Sequence, residues 1–196
     1  MIRQGQDKDK KALMKMWKLC FPDDSLHFIR FYFDKVYTNN ETLVYIEDKE
    51  LVASLQIIPY QIKSDDNISL GGYISGAMTH PDYRKKGYMQ QLLNISFEEM
   101  IKKGYDYTFL IPQEKWLIQM YEKYGYCLLE PSFYPHENKV LKSEKQLVNI
   151  QQAYFNESGV WLENEPVLET EHKGMIKKLN PEAKKITTLY MGMMLD

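Results

Sequence analysis

The sequence predicts a mixed α/β domain, and three observations carry that class. Strand-like runs follow one another across short polar links, which makes part of the sheet antiparallel. One further strand is reached only through a helix, which makes it parallel to the strand before it. The 196 residues, 44% hydrophobic and 27% charged, suffice for one domain with a real core and fit neither a disordered nor a membrane-embedded chain.

Residues 1–3 read as a short edge strand. From Lys8 to Cys20, Leu13, Met16, Trp17 and Cys20 recur on one helical face. Pro22 interrupts it, and Asp23, Asp24 and Ser25 offer cap chemistry for a second helix ending near Val36. That helix is apolar nearly all round, with Leu26, Phe28, Ile29, Phe31, Tyr32 and Phe33, so it packs on two sides or lines a pocket. Residues 42–46 and 51–62 are rich in Val, Ile, Leu and Tyr, and the charged link Glu47-Asp48-Lys49-Glu50 joins them as a hairpin. A turn at residues 64–67 leads into a strand over 68–78.

Residues 83–89, YRKKGYM, follow as a basic loop. Met89, Leu92, Leu93, Phe97, Met100 and Ile101 then recur at helical spacing, with Gly104 as the stop. A strand over 105–111, a helix over 113–124 closed by Gly125, and a strand over 126–129 come next, and residues 134–141 return as the partner of that last strand. Beyond lie a capping box at Ser143 to Gln146 with a helix to Asn156, short strands at 160–162, 167–171 and 175–179, and an apolar tail before Asp196. The chain divides into a core, residues 1–142, and a C-terminal extension, residues 143–196, packed on it with no flexible linker between.

Composition excludes several functions. A net charge of −2 argues against a general nucleic-acid coat. No apolar run approaches the roughly 18 residues of a membrane span, and no signal peptide opens the sequence. Cys20 and Cys127 form no C-x-x-C pair and read as buried small hydrophobes, which fits a reducing cytoplasm. Gly71 and Gly76 have Walker spacing, yet Ala77 and Met78 follow where a lysine is required. Dinucleotide and nucleophile-elbow patterns are missing, and His27, His80, His136 and His172 show no metal-ligand pairing, so no metal is expected. What remains is an anion site. Backbone amides of Lys85 to Met89 enter a helix without partners, and Arg84, Lys85 and Lys86 add charge where a pyrophosphate would sit.

The order strand, R-x-x-G loop, helix, strand, helix and Y-x-x-x-G-[FY] resembles the GNAT superfamily of acyl-CoA-dependent N-acetyltransferases. Here the two motifs read THPDYRKKGYM and, from Met120 to Tyr126, MYEKYGY. The likeness covers about residues 1–135. Met89 stands where most of the superfamily has glycine or alanine, which is similar to the Eis-like branch. The resemblance implies a GNAT-type fold in which the loop residues Arg84, Lys85, Lys86, Gly87, Tyr88 and Met89 hold the pyrophosphate of acetyl-CoA. It implies that the pantetheine arm lies beside the strand ending at Met78 and Thr79, where a backbone N–H polarises the thioester carbonyl. It assigns Tyr121 to the departing thiolate, as a phenol that is protonated at neutral pH.

For the base, residue type and position give Glu114 and His80. Similarity to Eis-like proteins adds the chain's last carboxylates, at Asp196. The expected activity is acetyl transfer to a primary amine through a tetrahedral intermediate, since neither motif holds a cysteine for an acyl-enzyme. The expected partner is a small amine, with no nucleic acid or membrane, and self-association is left open. Two rivals are a non-catalytic acyl-CoA-binding module and an aminoacyl transferase of the same fold; the second would want a broad basic face. Phe28, Phe31, Tyr32 and Phe33, with Trp116 and Tyr134, would suit a cationic or amphipathic acceptor.

Overall fold

The computed structural model describes residues 1–64, 67–130, 138–141, 174–187 and 189. Eight strands form one mixed sheet among these residues: β1 (Ile2–Gln4), β2 (Thr42–Glu47), β3 (Glu50–Ser64), β4 (Asn67–Thr79), β5 (Tyr107–Leu110), β6 (Cys127–Leu128), β7 (Asn138–Leu141) and β8 (Met175–Lys178). Their order is β1-β2-β3-β4-β5-β8-β6, and β7 pairs with β3. The helices are α1 (Lys10–Cys20), α2 (Leu26–Lys35), α3 (Tyr88–Lys102) and α4 (Lys115–Glu122). Pairing is antiparallel from β1 to β2 and from β2 to β3, and parallel between β4 and β5; the short β2–β3 link and the helical β4–β5 crossover account for the last two directions.

The chain falls into two compact units, and β3 and β4 each contribute to both. Among the described residues the first comprises Met1–Ile58 and Ile74–Glu98. Here α1 and α2 join through an aromatic cluster: the Trp17 ring lies 4.6 Å from Tyr32 and 5.6 Å from Phe33. Ser25 caps α2 by accepting from the Phe28 N–H. The Tyr32 hydroxyl donates to Gln56 on β3, while Tyr88 of α3 stacks 4.5 Å from Tyr45 on β2. Gln56 pairs with Thr42 in the ladder, and side chains alternate along a strand, so Thr42 and Tyr45 face opposite ways. Thus α2 and α3 cover opposite faces of this part of the sheet. The second helix buries Ile29, Phe31, Tyr32 and Phe33, whereas Leu26 is exposed.

Among the described residues the second unit comprises 59–64, 67–73, 99–130, 138–141, 174–187 and 189. Tyr60, Tyr73 and Phe109 make its aromatic core, with centroids 5.5 to 6.2 Å apart. Two pairings differ from the sequence expectation. Residues 138–141 pair with β3 rather than with β6. The partner of β6 is β8, which lies between β5 and β6 and is antiparallel to both. Buried Met175 and Ile176 explain the preference, because a two-residue strand such as β6 holds its place only beside a strand anchored in the core. The reading of residues 175–179 as a strand holds, and its position is inside the sheet. The expected helix over 143–156, the strands at 160–162 and 167–171, and the tail to Asp196 lie outside the described residues.

Candidate active site

The loop between β4 and α3 has an irregular backbone. After β4 a short 3-10 turn, Pro81–Tyr83, is capped by His80, whose Nδ1 accepts from the Asp82 N–H at 3.4 Å. Arg84 is extended, then Lys85 takes φ +64° and Gly87 φ +80° before α3 begins at Tyr88. The loop feeds directly into the start of α3, where free amides of the first turn make an anion-binding end. The first helical N–H to close a turn is that of Gln91, onto the Gly87 carbonyl at 3.1 Å. Among the described residues, no backbone carbonyl accepts from the amides of Lys85 to Gln90. At Gly87 an added Cβ would meet only Gln90 Oε1, 4.0 Å away, so this end is open.

The three cations divide their work. Arg84 turns back to β4, where its Nε donates to the Thr79 carbonyl at 3.3 Å. Lys86 Nζ lies 4.8 Å above the Tyr83 ring, and the Tyr83 hydroxyl donates to Glu50 of the β2–β3 hairpin. Among the described residues Lys85 has no ion pair, hydrogen bond or ring contact. Thr79 O also accepts from Cys20 Sγ at 3.4 Å, and burial raises that thiol's pKa against the opposing pull of Arg84. Cys20 is therefore half-buried and engaged, and Cys127 is exposed, so neither is the buried small hydrophobe expected. Cys127 sits on the two-residue β6, too short a strand to cover both of its faces.

Upstream of the loop, Met78 is buried and Gly76 interrupts the strand at φ +54°. A Cβ at Gly76 would come within 2.8 Å of Trp17 Cζ3, so α1 approaches the backbone more closely than a side chain allows. The β4–β5 ladder covers Gly71–Tyr73, and β4 runs on to Thr79. Met78, Thr79 and Arg84 to Met89 all belong to the first unit. Tyr88 is buried against Tyr45, and Met89 is half-exposed.

Tyr121 belongs to the second unit. It is 6% exposed, on the last turn of α4, and its carbonyl accepts from the amides of Tyr124 and Tyr126. Burial, with a smaller contribution from Tyr124, pushes its phenol up to about 12. Glu114 precedes α4, and its Oε2 accepts from Trp116 Nε1 at 2.6 Å. Trp116 itself is 60% exposed. Asp196 and Tyr134 lie outside the described residues.

The acetyltransferase (GNAT) domain family model matches residues 1–129. The chain belongs to the GNAT acetyltransferase family. No curated protein sequence matches it. Solved GNAT structures share the fold at low identity. A GNAT family N-acetyltransferase from Escherichia coli, solved in complex with CoA, is 12% identical, with a TM-score of 0.62 over 97% of this chain and 88% of that one. A GCN5-related N-acetyltransferase from Anabaena variabilis is 17% identical, with a TM-score of 0.59 over 66% of this chain and 32% of its own. Eis1 from Mycobacterium abscessus is 12% identical, with a TM-score of 0.56 over 64% and 31%. The chain thus spans about a third of the length of the Anabaena and Mycobacterium proteins.

Several contacts of this GNAT domain escape sequence reasoning. The clamp of Glu50 on Tyr83 joins residues 33 positions apart, and nothing in a one-dimensional pattern pairs them. The hold of Cys20 on Thr79 spans 59 positions. The left-handed Lys85 has no residue-type signal either, because lysine is not a residue that favours that conformation. No helix among the described residues is long and apolar enough to cross a membrane, and no group of three or more His, Cys, Asp or Glu gathers there as a metal site.

Proposed function

We propose that this GNAT domain transfers the acetyl group of acetyl-CoA to a primary amine by direct attack through a tetrahedral intermediate. The observation that carries the reading is the run of amides from Lys85 to Gln90 without backbone acceptors, framed by left-handed Lys85 and Gly87 at the start of α3. That chemistry fits a pyrophosphate: oriented N–H donors, a helix N-terminus and an adjacent uncommitted Lys85. Arg84 then braces the end of β4, and Lys86 completes the charge above Tyr83. Acetyl-CoA supplies the thioester. In this reading a backbone N–H at Met78 or Thr79 polarises its carbonyl, and Tyr121 is the group assigned to the departing sulfur.

The pKa of Tyr121 defines that role. A phenol at about 12 stays protonated through the physiological range. Tyr121 therefore serves as a hydrogen-bond donor to the leaving thiolate, and the proton that neutralises it comes from the attacking amine. Of the candidate bases for that amine, His80 accepts at Nδ1 and so carries its neutral-state proton on Nε2. Glu114 uses Oε2 for Trp116, and its other oxygen has no partner among the described residues, which favours Glu114. The Tyr88-Met89 pair after the R-x-x-G stretch supports an Eis-like subclass.

An acceptor screen with acetyl-CoA, reading thiol release, tests the proposal across polyamines, aminoglycosides, amino acids and peptide N-termini. At least one amine class accelerates release, and Tyr121→Phe lowers kcat by about a hundredfold with little change in acetyl-CoA affinity. Tight acetyl-CoA binding without any amine-dependent release would instead make the protein a binding module.

A further inference from the structure

The second unit holds a line of buried hydroxyls that acetyl transfer, as described, leaves unused. Thr108 Oγ1 donates to the Gly72 carbonyl at 3.0 Å, between residues that are register partners in the β4–β5 ladder. Its single proton is spent there, so toward Tyr126, whose hydroxyl is 3.0 Å away, Thr108 Oγ1 acts as the acceptor. The line therefore runs in one direction, from Tyr126 OH to Thr108 Oγ1 to Gly72 O. Thr108 is completely buried and Tyr126 is 2% exposed. Hydroxyls in such surroundings are costly unless each is satisfied, and Val and Phe would fill the same space without that cost. What the polar pair adds is a fixed ring orientation.

The fixed ring is the neighbour of Tyr121. The two rings meet edge to face, 5.6 Å apart at 68°, and the Tyr126 N–H donates to the Tyr121 carbonyl at 3.3 Å. Both the backbone and the ring of Tyr121 are thus held from Tyr126. Among the described residues, the Tyr121 hydroxyl has no hydrogen-bond partner that would set its direction. We infer that Thr108 and Tyr126 are positioning residues for acetyl transfer: the hydroxyl line anchored on Gly72 locks the Tyr126 ring, and that ring aims the Tyr121 phenol. The inference rests on Tyr121 being the group that meets the leaving thiolate.

Thr108→Val, Thr108→Ser and Tyr126→Phe, each alone and in a Tyr121→Phe background, form the test. Thiol release from acetyl-CoA is measured with the fastest amine of the acceptor screen, and folding is checked by thermal melting. Thr108→Val and Tyr126→Phe are expected to lower kcat by about tenfold while the KM for acetyl-CoA stays within about twofold. Thr108→Ser, which keeps the hydroxyl, restores most of kcat. In the Tyr121→Phe background neither substitution lowers kcat further, because the group they aim is gone. Should Thr108→Val fail to fold, Tyr126→Phe decides. Folded variants with unchanged kcat overturn the inference, as do losses that persist undiminished without the Tyr121 hydroxyl. Undiminished turnover in Tyr121→Phe alone would instead remove the role of Tyr121, and this inference with it.

Discussion

Asp9 is 6% exposed, an unusual place for a carboxylate, and Arg3 explains it. Two guanidinium N–H groups of Arg3 reach its two oxygens at 2.6 and 2.9 Å, and the Gln6 N–H adds a third bond at 2.9 Å. The Arg3 hydrogen bond is the largest cause holding the Asp9 carboxyl below its ordinary range. A lowered folded value contributes stability that is complete above about pH 4 and lost as the pH falls through it. Asp9→Asn is therefore expected to cost about 2 kcal/mol in urea unfolding at neutral pH, and the gap between variant and wild type should close as the pH drops below 4. None of this shows in the sequence, where Asp9 is one charge among several at a helix start. Tyr121 is the contrary case: its spacing from Gly125 marks it at once, but its burial and the resulting hold on its proton belong to the fold.

At the scale of elements, the glycines of β4 and of its following loop separate two kinds of requirement. Gly76 combines a left-handed φ with a backbone pressed against the Trp17 ring. Gly76→Ala is expected to cost about 3 kcal/mol, from conformational strain and from displacing a packed indole together. In a chain of this size that lowers the melting temperature by roughly 6 to 12 °C, which calorimetry would read. At Gly87 the φ is also left-handed, but the space beyond is open. Gly87→Ala is expected to cost only about 1 kcal/mol of stability, and to raise the KM for acetyl-CoA by about fivefold with kcat unchanged, as the relaxed loop scatters its amides. The amphipathic helices α1 and α4 were legible from periodicity, because each buries one face of its own. The hairpin turn over Asp48 and Lys49, both at positive φ, shows in its charged link. The pairing of β7 with β3 was not legible, because a short strand's sequence says that it pairs and not with which neighbour.

On the scale of the whole molecule, the mixed sheet and the family were readable from the order of motifs, and the place of β8 was not. Residues 175–178 look like one more short strand in a polar region, yet they lie between β5 and β6 and supply buried Met175 and Ile176. A chain ending at residue 142 would leave β5 with an open edge and β6 with no partner. Such a truncation is expected to lose its cooperative melting transition and to aggregate, as circular dichroism and light scattering would report. The same position of β8 orders events during synthesis. With β5 and β6 already made, the ribosome must still deliver the stretch from Leu128 to Met175, which takes roughly 2 to 9 seconds at the usual rates of elongation. Through that interval the nascent chain carries an unclosed sheet, so its exposure to chaperones is set by the translation speed of a segment that lies outside both motifs of the acetyl-transfer site.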